Sequence, residues 1–279
     1  MSVIIGIDVG GSTTKIVGYT DKAKPIGMLK VEAADPQTSA YGALGKFINE
    51  NQLQLTDVQQ IILTGVGAPL FKKKVYNVPA SVVDEFEAIG LGGLALSNKK
   101  EGLIVSMGTG TAFVRAGEKG IFHIGGSGVG GGTVVGLCGK LCGVKSFSSV
   151  VNLAEAGKLG KVDLNIGDIA RKTISNLTKD ITASNFGKME DGLVPADLAA
   201  GVLNMVFQTV GMMAVFACRN EAMKDVILTG TLSQVPLAKK TFEMLHHMHG
   251  VNFIIPKNAL YATATGAALS YLRKKGKRK

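Results

Sequence analysis

Cysteine is scarce. Cys138, Cys142 and Cys218 are three in 279 residues, and an odd set without paired spacing excludes a disulfide-stapled fold. Proline is nearly as thin, seven in all, and no Pro- or Ser-rich stretch marks a linker. The pattern G-x-x-x-x-G-K-[ST] is missing, since every Gly-Lys pair precedes a residue other than Ser or Thr; that excludes a P-loop. No basic segment, apolar run and cleavage site follow one another at the front. A reducing cytoplasm is the expected setting. Charge is missing from Leu198 to Cys218, long enough for a membrane span. Asn204 and Gln208 one turn apart, with no flanking aromatics, instead favour a buried helix at a core or dimer interface.

What is present is glycine, 37 residues, well above the ~7% of average usage and without a G-X-Y period. Glycine therefore serves particular backbone positions. The formal net charge is +10, but Arg273, Lys274, Lys275, Lys277, Arg278 and Lys279 supply most of it. The body is only mildly basic, and the tail is read as a solvated end with neither nucleic acid nor membrane as partner.

The hydrophobic pattern predicts an α/β chain of two domains. Strands are expected over Val3–Val9, Thr14–Thr20 and Pro25–Val31, a helix over Ser39–Asn51, strands over Gln60–Leu63 and Ala80–Val83, and a helix from Asp84 to Ser97. The plan then restarts. Leu103–Ser106, Ala112–Ala116 and Ile121–Ile124 read as a second strand triplet, so IIGIDVGGSTTKIVGY and LIVSMGTGTAFVRAG look like copies of one unit. Helices follow over Gly130–Leu141, Ser148–Ala156, Gly167–Ile174 and 197–222. Strand Asp225–Leu228, helix Val235–His249, strand Asn252–Ile255 and helix Ala262–Lys274 close the chain. The boundary falls at 98–102.

Glycine turns directly after strands let backbone N–H groups approach an anion, which suits phosphate. Asp8-Val9-Gly10-Gly11-Ser12-Thr13, Gly108-Thr109-Gly110-Thr111, Gly125–Gly132 and Thr229-Gly230-Thr231 are such turns. Gly126–Gly131 also matches G-x-G-x-x-G, with Glu155 downstream as a ribose-binding acid, but a dinucleotide fold would begin with that unit rather than place it behind an antiparallel triplet. Asp8 ends a buried strand beside hydroxyls at Ser12, Thr13 and Thr14, where a carboxylate suits hydrated Mg²⁺ against ATP phosphates and Lys15 suits a phosphate oxygen. A turn cap with a solvated lysine is the plainer alternative.

IDVGGSTTKI at 7–16, VDEFEA at 83–88, SMGTGTA at 106–112, IGGSGVGGGTVVGL at 124–137 and DITASNFGKM at 180–189 together resemble the type II pantothenate kinases, of the acetate and sugar kinase and actin superfamily. The resemblance spans nearly the whole chain. It implies two RNase-H-like (actin-like ATPase) domains, 1–100 completed by helix 262–275 and 101–261, closing over ATP and pantothenate. It also implies a homodimer through the long helix 197–222.

On that resemblance Asp8 would organise Mg²⁺, and Gly10, Gly11, Ser12, Thr13 and Lys15 would receive phosphates. Glu85 would be the general base. Gly108, Thr109, Gly128, Gly130, Gly131 and Gly132 would back the nucleotide, the last three through a helix N-terminus. Thr109, Thr111, His123, Gly125 and Gly126 would face pantothenate. Position 123 departs from the family, which usually has arginine there to grip the pantothenate carboxylate; histidine lacks the bidentate fork. Arg115 is a candidate substitute. A helix N-terminus is expected to lower the pKa of Glu85, while Asp84 and Glu87 are spaced as a capping box. His246, His247, His249 and Cys218 make an unconvincing zinc set, and Cys138 and Cys142 read as packing rather than as a redox pair. Same-fold kinases with another hydroxylated acceptor, and an inactive nucleotide-binding regulator, are the competing functions.

Overall fold

The computed structural model describes residues 2–32, 35–170 and 178–276. In the first half, β1 (Val3–Val9), β2 (Thr13–Thr20) and β3 (Pro25–Glu32) precede α1 (Pro36–Glu50). Strands β4 (Val58–Thr64), β5 (Lys74–Val75) and β6 (Val78–Val82) then lead into α2 (Glu85–Ser97). The sheet order is β3-β2-β1-β4-β6-β5. Every residue of β1 is buried, as its β-branched run predicts for a central strand. Helix α1 begins three residues before the expected Ser39, because Asp35 caps it by accepting from the Thr38 N–H at 2.6 Å and Pro36 opens its first turn. That N-cap and N1 proline are a sequence signal the apolar spacing alone does not carry.

The second half holds β7 (Gly102–Met107), β8 (Thr111–Gly117), β9 (Gly120–Ser127), α3 (Gly131–Leu141) and α4 (Phe147–Glu155). Next come β10 (Leu164–Asn165), α5 (Ile166–Ile169), β11 (Thr182–Ser184) and α6 (Pro195–Asn220). Strand β12 (Asp225–Thr229), α7 (Pro236–His249), β13 (Asn252–Ile254) and α8 (Ala262–Gly276) finish it. Its sheet runs β13-β12-β7-β8-β9. Read from the other edge, that is β9-β8-β7-β12-β13, which repeats β3-β2-β1-β4-β6 strand for strand. The parallel pairs match too, β1 with β4 and β7 with β12. The duplication seen in sequence is thus a duplication of topology. Of the helix expected over Gly167–Ile174, the described residues hold the turn Ile166–Ile169, and residues 171–177 lie outside the described set.

The two halves are laced together by their helices. Helix α8 lays Ala264, Ala267 and Ala268 on the first sheet beside Ile4, Val17 and Ile62. Helix α2 packs both ways: Ala88 joins that cluster, while Ile89 packs with Ile104, Val114 and Ile227 of the second sheet. Where the helices cross, a Cβ on Gly92 would meet the Ala262 carbonyl and one on Gly266 the Ala88 carbonyl. Only glycine allows the backbones that close.

Helix α6 is apolar enough to cross a membrane by length and composition, yet 67% of its most apolar window is buried inside the protein. It is the spine of the second core, with Val202, Leu203, Val206, Phe207 and Val210 fully enclosed. Each such side chain contributes about 1.5–3 kcal/mol of transfer free energy, far above helix-propensity differences. Its polar residues have partners. Asn204 donates to the fully buried Asp163 at 2.8 Å and Gln208 to Thr182 at 2.9 Å, while the Phe186 N–H also donates to Asp163 at 2.9 Å. The DITASNFG segment is therefore pinned to α6 around one satisfied carboxylate.

Candidate active site

Parallel strands release their ligand-binding loops at their carboxyl ends. Here β1 and β4 end at the first glycine turn and at Thr64-Gly65, while β7 and β12 end at the GTGT turn and at Thr229-Gly230. The two sets face each other. The Ser12 and Thr109 hydroxyls lie 3.4 Å apart across the cleft.

Asp8 and Lys15 are cross-strand partners on β1 and β2, with Lys15 Nζ donating to Asp8 Oδ2 at 3.2 Å and both residues 7% exposed. Lys15 is therefore not solvated, and the turn-cap alternative does not describe this pair. Glu85 opens α2, capped by Asp84, whose Oδ1 accepts from the Phe86 and Glu87 N–H groups at 2.9 and 3.0 Å. Glu85 is only partly exposed. Burial pushes its carboxyl above the ordinary range, the negative charge of Asp8 adds to this, and Lys15 opposes it. The upward direction corrects the expected helix-terminus effect: loss of water outweighs the helix dipole here. The charge of Asp8 thus reaches Glu85, 77 residues away in sequence.

Several expected anion contacts are taken up elsewhere. The Gly10 N–H donates to Thr13 O at 3.1 Å and the Gly108 N–H to Gly110 O at 2.9 Å. Gly131 and Gly132 donate at 2.8 Å to the Gly108 and Thr109 carbonyls, and Gly130 donates to the Thr133 hydroxyl at 3.1 Å. The N-terminus of α3 is thus no open phosphate nest; it clasps the GTGT turn. Gly130 is glycine for that reason, since a Cβ would come 2.6 Å from Thr109 O. The Gly11 and Gly128 positions remain open, since a Cβ at either would meet nothing within 4 Å. Thr111 is 5% exposed and spends its hydroxyl proton on Val129 O at 2.8 Å, so it ties two loops together instead of facing the acceptor.

On the acceptor side, a bulge in β9 at Ile124 breaks the register between Val114–His123 and Phe113–Gly125, and such bulges re-aim side chains. His123 turns to stack on Phe86, ring centroids 3.8 Å apart and 10° from parallel. It therefore stands one residue from Glu85, beside the Gly125–Gly126 backbone. Arg115 does not replace it: its guanidinium pairs with Glu221 at 3.3 Å and covers Phe122, at the far end of β8 from the turn. Phe86 and Thr64 are neighbours of these residues that sequence reasoning passed over. Thr64 closes β4 directly beside Asp8, in a Leu-Thr-Gly that recurs at Leu228-Thr229-Gly230, and that repeat was the available signal.

Cavities of about 850 and 630 Å³ open elsewhere, the first around α7 and β13, the second between α4, α6 and α7. Neither is lined by Asp8, Lys15 or Glu85. The convergence of polar groups, not cavity size, marks the catalytic candidate. Among the described residues no three His, Cys, Asp or Glu side chains cluster as metal ligands, and burial pushes the Cys138 thiol up to about 12, far from reactive.

The model of the family described as Fumble matches residues 96–253, more than half of the chain. The chain belongs to the Fumble family of type II pantothenate kinases. A relative, the type II pantothenate kinase of Staphylococcus aureus strain USA300, is 26% identical over 97% of this chain and 99% of its own. Solved structures agree on the architecture that Fumble-family membership implies. Component A of the (R)-2-hydroxyglutaryl-CoA dehydratase of Acidaminococcus fermentans matches with TM-score 0.69 at 17% identity, over 99% of this chain and 100% of that one. The activator of the 2-hydroxyisocaproyl-CoA dehydratase of Clostridium difficile, with bound ADPNP, gives 0.71 at 14%, over 99% and 98%. The ROK hexokinase of Thermus thermophilus gives 0.58 at 12%, over 98% and 99%. This Fumble-family chain therefore has the two-domain α/β fold of the actin-like ATPase and ROK group.

Proposed function

We propose that the chain is an ATP-dependent pantothenate kinase, transferring the γ-phosphoryl group to the primary hydroxyl of pantothenate. The observation that carries this reading is the buried Asp8–Lys15 pair close enough to Glu85 for both charges to act on it. Phosphoryl transfer asks for positioning, charge neutralisation and one carboxylate to take the hydroxyl proton. Glu85 accepts that proton as the acceptor oxygen bonds to phosphorus and the bond to the ADP oxygen breaks. Its raised pKa makes it a better base than an exposed carboxylate. Lys15 and the Gly11–Ser12 and Thr109 turns hold the phosphates. The buried Asp8, an oxygen donor beside the phosphate turn, fits the single-carboxylate, phosphate-sharing manner in which Mg²⁺ is held. Bound there, Mg²⁺ would neutralise charge on the phosphate oxygens. The nucleotide-bound structural relative and the three free thiols, suited to a reducing cytoplasm, agree with this reading.

Incubation with ATP and pantothenate, with ADP followed by a coupled assay and the product by mass, tests it. Pantothenate-dependent ADP release with a phosphorylated product is expected. Turnover only with another hydroxylated molecule would transfer the reading to that acceptor, and the His123–Phe86 stack is the feature that favours it. For His123→Arg, a guanidinium that keeps a stack on Phe86 and offers a fixed fork should lower KM for pantothenate by about three- to tenfold with little change in kcat. An unaltered or higher KM would remove carboxylate gripping from position 123.

The reading includes a dimer through α6. Its outer face shows Met205, Thr209, Met212 and the 59% exposed Phe216 at helical spacing, an apolar stripe a second copy would cover. Light scattering should find a dimer for the wild type and a monomer for Phe216→Lys. A monomeric wild type would overturn the dimer.

A further inference from the structure

Thr64 is 1% exposed, and its hydroxyl has no hydrogen-bond partner among the described residues. Such a group is costly and calls for a reason. The duplicated fold supplies a control. Thr229 ends β12 in the same Leu-Thr-Gly and is equally buried, and its hydroxyl reaches Val105 O on the adjoining strand at 3.5 Å. In register, Thr229 lies beside Ser106 and Thr64 beside Asp8. The unpartnered threonine is therefore the copy next to the acidic residue. Its chain neighbour Gly65 faces the same carboxylate: a Cβ there would sit 2.8 Å from Asp8 Oδ1, the oxygen turned away from Lys15.

We infer that Thr64 is a positioning residue for Asp8, its hydroxyl held unpartnered in the free protein so that it can take the Asp8 carboxylate when Lys15 leaves it for the nucleotide phosphates. This rests on the proposed nucleotide site and deepens it. The ion pair Asp8–Lys15 occupies both groups in the free state. Once phosphate draws Lys15 away, Asp8 needs a donor to fix its orientation in a buried setting, and a side-chain rotation of Thr64 provides one from the next strand.

Thr64→Val keeps the shape and removes the hydroxyl. Without ligand its melting temperature should rise by about 2–4 °C, as an unpaired buried group is lost. The further rise on adding ATP and Mg²⁺ should shrink, because binding stabilises in proportion to affinity, and kcat should fall about 10- to 100-fold with KM for pantothenate little moved. Thr64→Ser should restore both the ligand shift and kcat. A Thr64→Val protein whose ATP shift and kcat stay within twofold of wild type would overturn the inference, as would a serine variant no better than valine, which would mean that only the methyl packing matters. If wild type is inert on pantothenate but the ATP shift still falls in the valine variant, the acceptor reading fails and the role of Thr64 stands.

Discussion

Glu85→Gln should lower kcat by about 10²–10⁴-fold, the range that a positioned general base supplies, while the ATP-induced rise in melting temperature is kept. Glutamine preserves shape and the α2 cap, which belongs to Asp84. The same variant should be more stable than wild type near neutral pH. Burial and Asp8 raise the folded-state pKa of Glu85, so folding favours its protonated form. The stabilisation is complete below the unfolded value of about 4.3 and is lost as pH rises through the folded value. Glutamine removes that loss, and its advantage should vanish in acid. For wild type, the acid limb of kcat/KM should lie above the ordinary carboxylate range. Unchanged kcat in the glutamine variant would take Glu85 out of the chemistry.

Asp8→Asn should cost about 10²–10³-fold in kcat/KM and also weaken the fold. Lys15 would lose its partner while 7% exposed, and breaking a buried ion pair on one side costs about 3–5 kcal/mol. The double change Asp8→Asn with Lys15→Met should recover the stability and none of the activity, which separates the two effects. The acid limb should move to lower pH in Asp8→Asn, because a charge raising the Glu85 pKa has gone. Retained activity in a folded Asp8→Asn protein would contradict the role given to Asp8.

The strand-turn-strand openings were legible because they are local: apolar runs that stop at glycine turns specify a hairpin within a few residues of sequence. Motif resemblance singled out Glu85 and Asp8, and the fold brings the Asp8 charge to bear on Glu85. What escaped was set by contacts remote in sequence. The N–H groups of Gly131 and Gly132 face carbonyls of the GTGT turn, a packing no count of glycines reveals. The packing of α2 on the second sheet and its close crossing with α8 at Gly92 and Gly266 join segments far apart in the chain. The pKa direction at Glu85 turned on how much water burial removes; the α1 start, by contrast, rests on the local Asp35–Pro36 cap, which lies outside the apolar pattern.

A crystal of the complex with a non-hydrolysable ATP analogue, Mg²⁺ and pantothenate is the most direct measurement. The primary hydroxyl oxygen should lie within about 3 Å of a Glu85 carboxylate oxygen, facing the terminal phosphate on the Ser12 and Lys15 side. Pantothenate bound away from Glu85, for example in the cavity between α4, α6 and α7, would contradict the account.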